Sequence, residues 1–115
     1  MSKAKTPLPT ADASLRQIQT YVADVLKEHG VNPTASSQFI QLVEEIGEVA
    51  RALRFRHHTP VSATTHRANL PEELADVLMA LMNLASSENV DLFDALIAKE
   101  KINQTRVWKS VKEDA

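Results

Sequence analysis

Leu15, Ile18, Val22, Val25 and Leu26 recur at three- and four-residue intervals, and the same period returns in Phe39, Leu42, Val43, Ile46, Val49, Ala50 and Leu53. Such spacing places side chains on one face of a helix, because successive residues turn by about 100°. Ser14, with Gln17 three residues on, supplies a capping box for a first helix over 15–29, which Gly30 closes. Asn32-Pro33 and the Ser36-Ser37 pair are start signals for a second helix that runs to about Arg54. From Phe55 to Ala68 the period is lost in a polar, mildly basic loop holding Arg56, His57, His58, Pro60, His66 and Arg67, read as the mobile part of the chain. Asn69 and Pro71 with Glu72 restart a helix whose residues 74–85 are apolar almost all round, the mark of a buried element. Asp91, preceded by Val90 as a staple residue, opens a fourth helix that turns Phe93, Leu96 and Ile97 inward and fades near Trp108.

These elements predict an all-α protein, and the rarity of glycine, with only 2 in 115 residues, agrees with long uninterrupted helices. One domain is expected over 14–110, after a disordered lead-in at 1–13 and before a frayed tail at 111–115. There is no cysteine, which removes disulfides, thiolate metal sites and cysteine nucleophiles together. Lys and Arg number 13 against 15 acids, a formal charge of −2, so neither long nucleic acid nor a membrane surface is an expected partner. A cytoplasmic location is expected, since no signal-type start or long apolar run is present.

Glu44, Glu45 and Glu48 interrupt the apolar run of the second helix. With Glu44 at 0°, Glu48 falls near 40° and Glu45 near 100°, while the apolar residues of that helix fill about 140 to 260°. The acids thus line the flank of the face expected to be buried. Glu73 and Asp76 repeat the three-residue spacing that stacks two side chains on one helical face. One such pair among 15 acids is ordinary solvated surface. Asp76 weighs more, because it and Asn83 are the only polar residues between 74 and 85, about 20° apart around the axis. An ionised carboxylate there must be paired, hydrogen-bonded or bound to a metal. Its neighbours Glu48, Glu72 and Glu73 add negative charge, so the cluster calls for a cation. Oxygen ligands suit a hard ion, Mg²⁺ or in its place Mn²⁺, at about 2.0–2.1 Å with waters and phosphate oxygens completing the shell. A solvated acidic face is the alternative. His57 and His58 lack a third partner as metal ligands.

The pattern Glu44-Glu45-x-x-Glu48, a spacer, then Glu73-x-x-Asp76 resembles the signature of the MazG-like, all-α nucleoside triphosphate pyrophosphohydrolases, and the resemblance covers most of residues 15–108. Lys99, Asn103 and Arg106, in the segment Lys-Glu-Lys-Ile-Asn-Gln-Thr-Arg-Val-Trp, match the lysine, asparagine and arginine of that family's last helix. Val107-Trp108 stands where Tyr-Pro often follows in the family. The resemblance implies a four-helix MazG-like bundle in which Glu45, Glu48, Glu73 and Asp76 hold Mg²⁺, while Glu44 is a further ligand or orients the attacking water. It also implies the reaction of a (d)NTP with water to give (d)NMP and pyrophosphate, in house-cleaning or nucleotide-pool control. Attack on the α-phosphorus assisted by metal ions needs no side-chain nucleophile, in keeping with the lack of Cys and of a Ser-His arrangement.

Lys99, Asn103 and Arg106 fall within about 60° of one another on the fourth helix, so one face presents two cations and an amide to a triphosphate; a basic helix end complementing the dipole is the alternative. Gln38 and Gln41, one turn before the acids, reach for a base edge or for solvent, and Phe39 and Phe93 are expected in the core. Rival functions are a phosphoribosyl-ATP pyrophosphohydrolase, a dUTPase-like relative, and a non-catalytic dimerisation module whose acids bind a structural cation. An apolar arc from about 20° to about 240° around the third helix, with Glu73 at 0°, exceeds what a four-helix monomer covers, which predicts a homodimer or a homotetramer built as a dimer of dimers. The family resemblance points the same way.

Overall fold

The computed structural model describes residues 5–109, and these form four helices and no strand: α1 (Leu15–Glu28), α2 (Ala35–Arg56), α3 (Leu70–Ser87) and α4 (Leu92–Gln104). Every helix starts on a side-chain cap, which satisfies backbone N–H groups that have no partner inside the helix. Ser14 Oγ accepts from the Gln17 N–H at 3.1 Å while Gln17 Oε1 accepts from the Ser14 N–H at 2.7 Å, the expected reciprocal box. Thr34, rather than the flanking Asn32-Pro33 or Ser36-Ser37, caps α2 by accepting from the Ser37 N–H. Asn69 caps α3 with Pro71 in the first turn, and Asp91 caps α4. Beyond α1, Gly30 takes φ +74° and lets the Val31 N–H return to the Leu26 carbonyl, a conformation that costs other residues more.

Helices α2 and α3 form the main packed pair and run antiparallel, since Ala52, Phe55 and Arg56 near the end of α2 enclose a cavity with Arg67 to Pro71 at the start of α3. α1 lies against the C-terminal half of α3. There the buried Gln19 donates to Ser86 Oγ (3.1 Å) and the Val90 carbonyl (2.8 Å) and accepts from the Leu92 N–H (2.9 Å), so one side chain ties down the α3–α4 turn. α4 packs chiefly on α1. Arg16 holds it there through Asp91 and Asp94, at 2.7 and 2.8 Å, with its guanidinium over the Phe93 ring. No helix among the described residues is long and apolar enough to cross a membrane.

Several expectations change. The stripe Phe39, Val43, Ile46 and Leu53 is not the inner face of α2: Phe39 is 56% exposed and Ile46 52%, whereas Gln38 and Ala52, on the acid-bearing flank, are buried against α3. α3 is only partly enclosed, with Leu74, Leu78 and Leu81 open. Phe93, Leu96 and Ile97 likewise face outward on α4, which buries no residue fully. α4 ends at Gln104, so Arg106 and Trp108 lie beyond it. The lead-in does not stand apart from α1, because the Thr6 N–H donates to Glu28 Oε1 and Pro7, Pro9 and Thr10 line a crevice with Gln17, Tyr21 and Asp24. Residues 1–4 and the expected frayed tail at 111–115 lie outside the described residues. The connection after α2 folds back on that helix: the Thr59 N–H reaches the Arg54 carbonyl, Arg54 donates to the Pro60 carbonyl, and Val61 and Thr65 lie against Gly47 and Ala50.

With so much apolar surface open, the single chain is extended. Its radius of gyration is 18.4 Å, against about 13 Å for a compact domain of this length.

Candidate active site

Burying the acid-bearing flank of α2 turns Glu45 toward α3, where carboxylate oxygens of Glu45, Glu73 and Asp76 all lie within 4.8 Å of one another. The three groups come from two antiparallel helices, so the packing of α2 on α3 itself sets their separation. Burial, and then the charges of Glu48, Asp76, Glu45 and Glu72, push the Glu73 carboxyl above its ordinary range. Like charges this close resist joint ionisation unless a cation joins them. Glu48 acts on Glu73 through its charge, yet its Oε2 accepts from Arg51 at 3.1 Å. Glu44 is exposed and stands outside the converging group.

The sequence spacing missed two side chains that shape this cluster. Gln41 Nε2 donates to Glu45 Oε1 at 2.6 Å, which helps to orient that carboxylate. Arg51 holds Glu48 from one turn further along α2. Gln41 lies four residues before and Arg51 three residues after the acid it holds, and that spacing is their signal in the sequence.

The second expected group is not brought to the first. Lys99 and Arg106 are exposed and make no ion pair among the described residues, and α4 is held on α1, away from the α2–α3 groove. Asn103 is half-buried with its Oδ1 lacking a partner. His57 and His58 sit at the end of α2 and take no part in the cluster.

Oxygen-only ligands between two helices fit a hard divalent cation, and hard cations of this kind serve phosphate chemistry. The fold and cluster thus define an all-α protein with a carboxylate site suited to a hard divalent cation. Residues 34–107 match the MazG nucleotide pyrophosphohydrolase domain, and the chain belongs to that family. It is a hydrolase, a nucleotide pyrophosphohydrolase. The dATP/dGTP diphosphohydrolase of Cyanophage S-2L is 32% identical over 98 residues, which cover 84% of this chain and 79% of that one. The dCTP pyrophosphatase 1 of Mus musculus is 38% identical over 71 residues, 58% of this chain and 42% of its own. The solved structure of the Cyanophage S-2L MazG-like pyrophosphohydrolase, bound to dGDP and three catalytic Mn²⁺ ions per active site, has a TM-score of 0.66 at 27% identity over 89% of each chain.

Proposed function

We propose that the chain hydrolyses (d)NTPs, with deoxynucleoside triphosphates first among them, to the monophosphate and pyrophosphate, using Mg²⁺ or Mn²⁺ held by Glu45, Glu48, Glu73 and Asp76. The convergence of Glu45, Glu73 and Asp76 within 4.8 Å carries this reading. Relatives named for dATP, dGTP and dCTP support the substrate class, and Mn²⁺ in the S-2L structure supports the ion. When bound, divalent cations neutralise phosphate charge and make water a better nucleophile. The chain's own groups do the rest. Gln41 keeps Glu45 turned into the cluster, and the raised proton affinity of Glu73 falls once its charge is shared. Glu48, paired with Arg51 in the single chain, would add a fourth carboxylate to the set that holds the cation. Glu44, at the open side, orients the attacking water or adds a ligand.

Chromatography of the products is the direct test. The expected pair is a nucleoside monophosphate and pyrophosphate; a nucleoside diphosphate as first product would discard attack at the α-phosphorus and leave the metal cluster standing. A panel that includes dUTP and phosphoribosyl-ATP separates the related activities, and no turnover anywhere would favour the non-catalytic module.

Lys99, Asn103 and Arg106 reach the phosphates from a neighbouring copy of the chain in this proposal, since their own chain holds them away from its acids. Lys99→Ala or Arg106→Ala is expected to lower kcat/KM by about tenfold or more, the effect of losing one charge-assisted hydrogen bond. Unchanged kinetics in both variants would return them to a solvated basic surface.

A further inference from the structure

α4 is the least secured of the four helices. It buries no residue fully, its Phe93, Leu96, Ile97 and Ile102 stand open, and among the described residues its polar ties to another helix are confined to its start. There Arg16 Nε donates to Asp91 Oδ2 at 2.7 Å and Arg16 Nη2 to Asp94 Oδ1 at 2.8 Å, while Gln19, one turn along α1, accepts from the Leu92 N–H. The other oxygen of Asp91 caps α4 by accepting from the Asp94 N–H at 2.9 Å, so one carboxylate both begins the helix and joins it to α1. The Asp94 N–H and then Arg16 hold the Asp91 carboxyl below its ordinary range.

A guanidinium is planar. Placing two of its nitrogens on two carboxylates, with its central carbon 5.4 Å from the centre of the Phe93 ring, fixes a direction for α4 as well as a charge, where a lysine would supply only a point of attraction. Such a tie adds little to stability, since the Arg16 and Asp94 side chains are 55% and 70% exposed. Its consequence lies at the far end of the helix. Lys99 and Asn103 are about 12 and about 18 Å along the axis from Asp91, so a swing of about 10° at the first turn carries Asn103 about 3 Å, beyond the tolerance of a hydrogen bond. Asn103 Oδ1 is shielded from solvent and has no partner in its own chain, as suits a group made for a ligand brought from outside it.

We propose that Arg16 is a positioning residue for the hydrolysis: by clamping Asp91 and Asp94 it sets the direction in which α4 presents Lys99, Asn103 and, just beyond the helix, Arg106 to the triphosphate. The inference rests on the phosphate role proposed above for those three residues and deepens it. Arg16 itself touches no substrate and acts through α4.

The test measures kcat and KM with dATP, dCTP and dGTP, using the full chain. Arg16→Ala is expected to lower kcat/KM about tenfold or more, the effect of a small misplacement, with unchanged sedimentation and a Tm close to that of the wild type. Arg16→Lys, which keeps the charge and loses the fork, is expected to fall between the two. In a Lys99→Ala/Arg106→Ala background the Arg16→Ala step should cost less than about twofold, because a misdirected α4 has little left to misplace. If Arg16→Ala loses helical signal, Asp94→Ala, which leaves the Asp91 cap in place, carries the same comparison. Equal fold losses in the two backgrounds would show that Arg16 acts apart from the cations of α4 and overturn the assignment, as would a loss that tracks a fall in Tm or a change in sedimentation. Wild-type kinetics in Lys99→Ala/Arg106→Ala would sink the phosphate role of α4 and the clamp's purpose with it. A loss in that variant beside an unchanged Arg16→Ala would sink the clamp alone.

Discussion

Asp76→Asn is expected to lower pyrophosphate release by about a thousandfold or more while leaving the helical circular dichroism unchanged. The size follows from the several kcal/mol of transition-state charge that a bound metal stabilises, at 1.36 kcal/mol per tenfold in rate. Asp76 contributes one of three carboxylates whose oxygens lie within 4.8 Å, and its replacement removes a charge the cation needs and the packing of α2 on α3 does not. The apoprotein should gain stability. The Glu73 carboxyl is held above its ordinary range by burial and by its acidic neighbours, Asp76 among them. Stability tied to its protonated form is present below the usual glutamate value and lost as pH rises through the raised folded value. The ionised form of Glu73 is thus disfavoured by the neighbouring acids, a repulsion that a bound divalent cation is expected to relieve. A thermal melt should show the wild type rising in Tm with Mg²⁺ and Asp76→Asn starting higher and responding less. Glu48→Gln is expected to follow the same pattern. Near wild-type turnover at saturating Mg²⁺ in either variant would refute the metal assignment.

Local rules made much of this fold legible. Ser14 with Gln17, Asn69 with Pro71, Asp91 and Gly30 mark helix ends through short-range hydrogen bonds and φ preferences, which the sequence states directly. The pairs Glu45/Glu48 and Glu73/Asp76 were legible for the same reason, since spacing fixes which residues share a face. Spacing does not fix what that face meets. Phe39, Val43 and Ile46 share a face of α2, but the chain packs the flank carrying Gln38, Glu45 and Ala52 against α3, and only the tertiary arrangement decides between the two. Extending the period places Arg106 on α4. Thr105 ends the helix instead: its hydroxyl donates to the Ile102 carbonyl at 2.7 Å and the Arg106 N–H turns to the Asn103 carbonyl. Gln19, the buried amide that ties the α3–α4 turn, had one faint signal, its helical spacing with Val22 and Leu26.

Ile46→Asp is expected to convert an oligomer into a 12.7 kDa monomer and to abolish most of the activity with it. Phe39, Val43, Ile46, Ala50 and Leu53 alternate steps of four and three residues, the repeat by which one helix seams against another. Val43 is 52% exposed in the single chain, and Leu74, Leu78 and Leu81 on α3 form a second open set with the same steps. Soluble monomers rarely leave such contiguous apolar surface in water, and the extended shape of this chain points the same way. A second copy is the cover that matches both stripes without another protein, and it would also bring Lys99 and Asn103 of a foreign α4, with Arg106 just beyond it, toward the acids its own α4 does not reach. A charge placed at the centre of the seam must be buried unpaired or exclude the partner, and exclusion is cheaper. Sedimentation at micromolar concentration, with turnover measured on the same samples, decides the point. The wild type should sediment as a dimer or a tetramer and Ile46→Asp as a monomer with intact helices; a wild type that is active at 12.7 kDa would show that each site is complete within one chain.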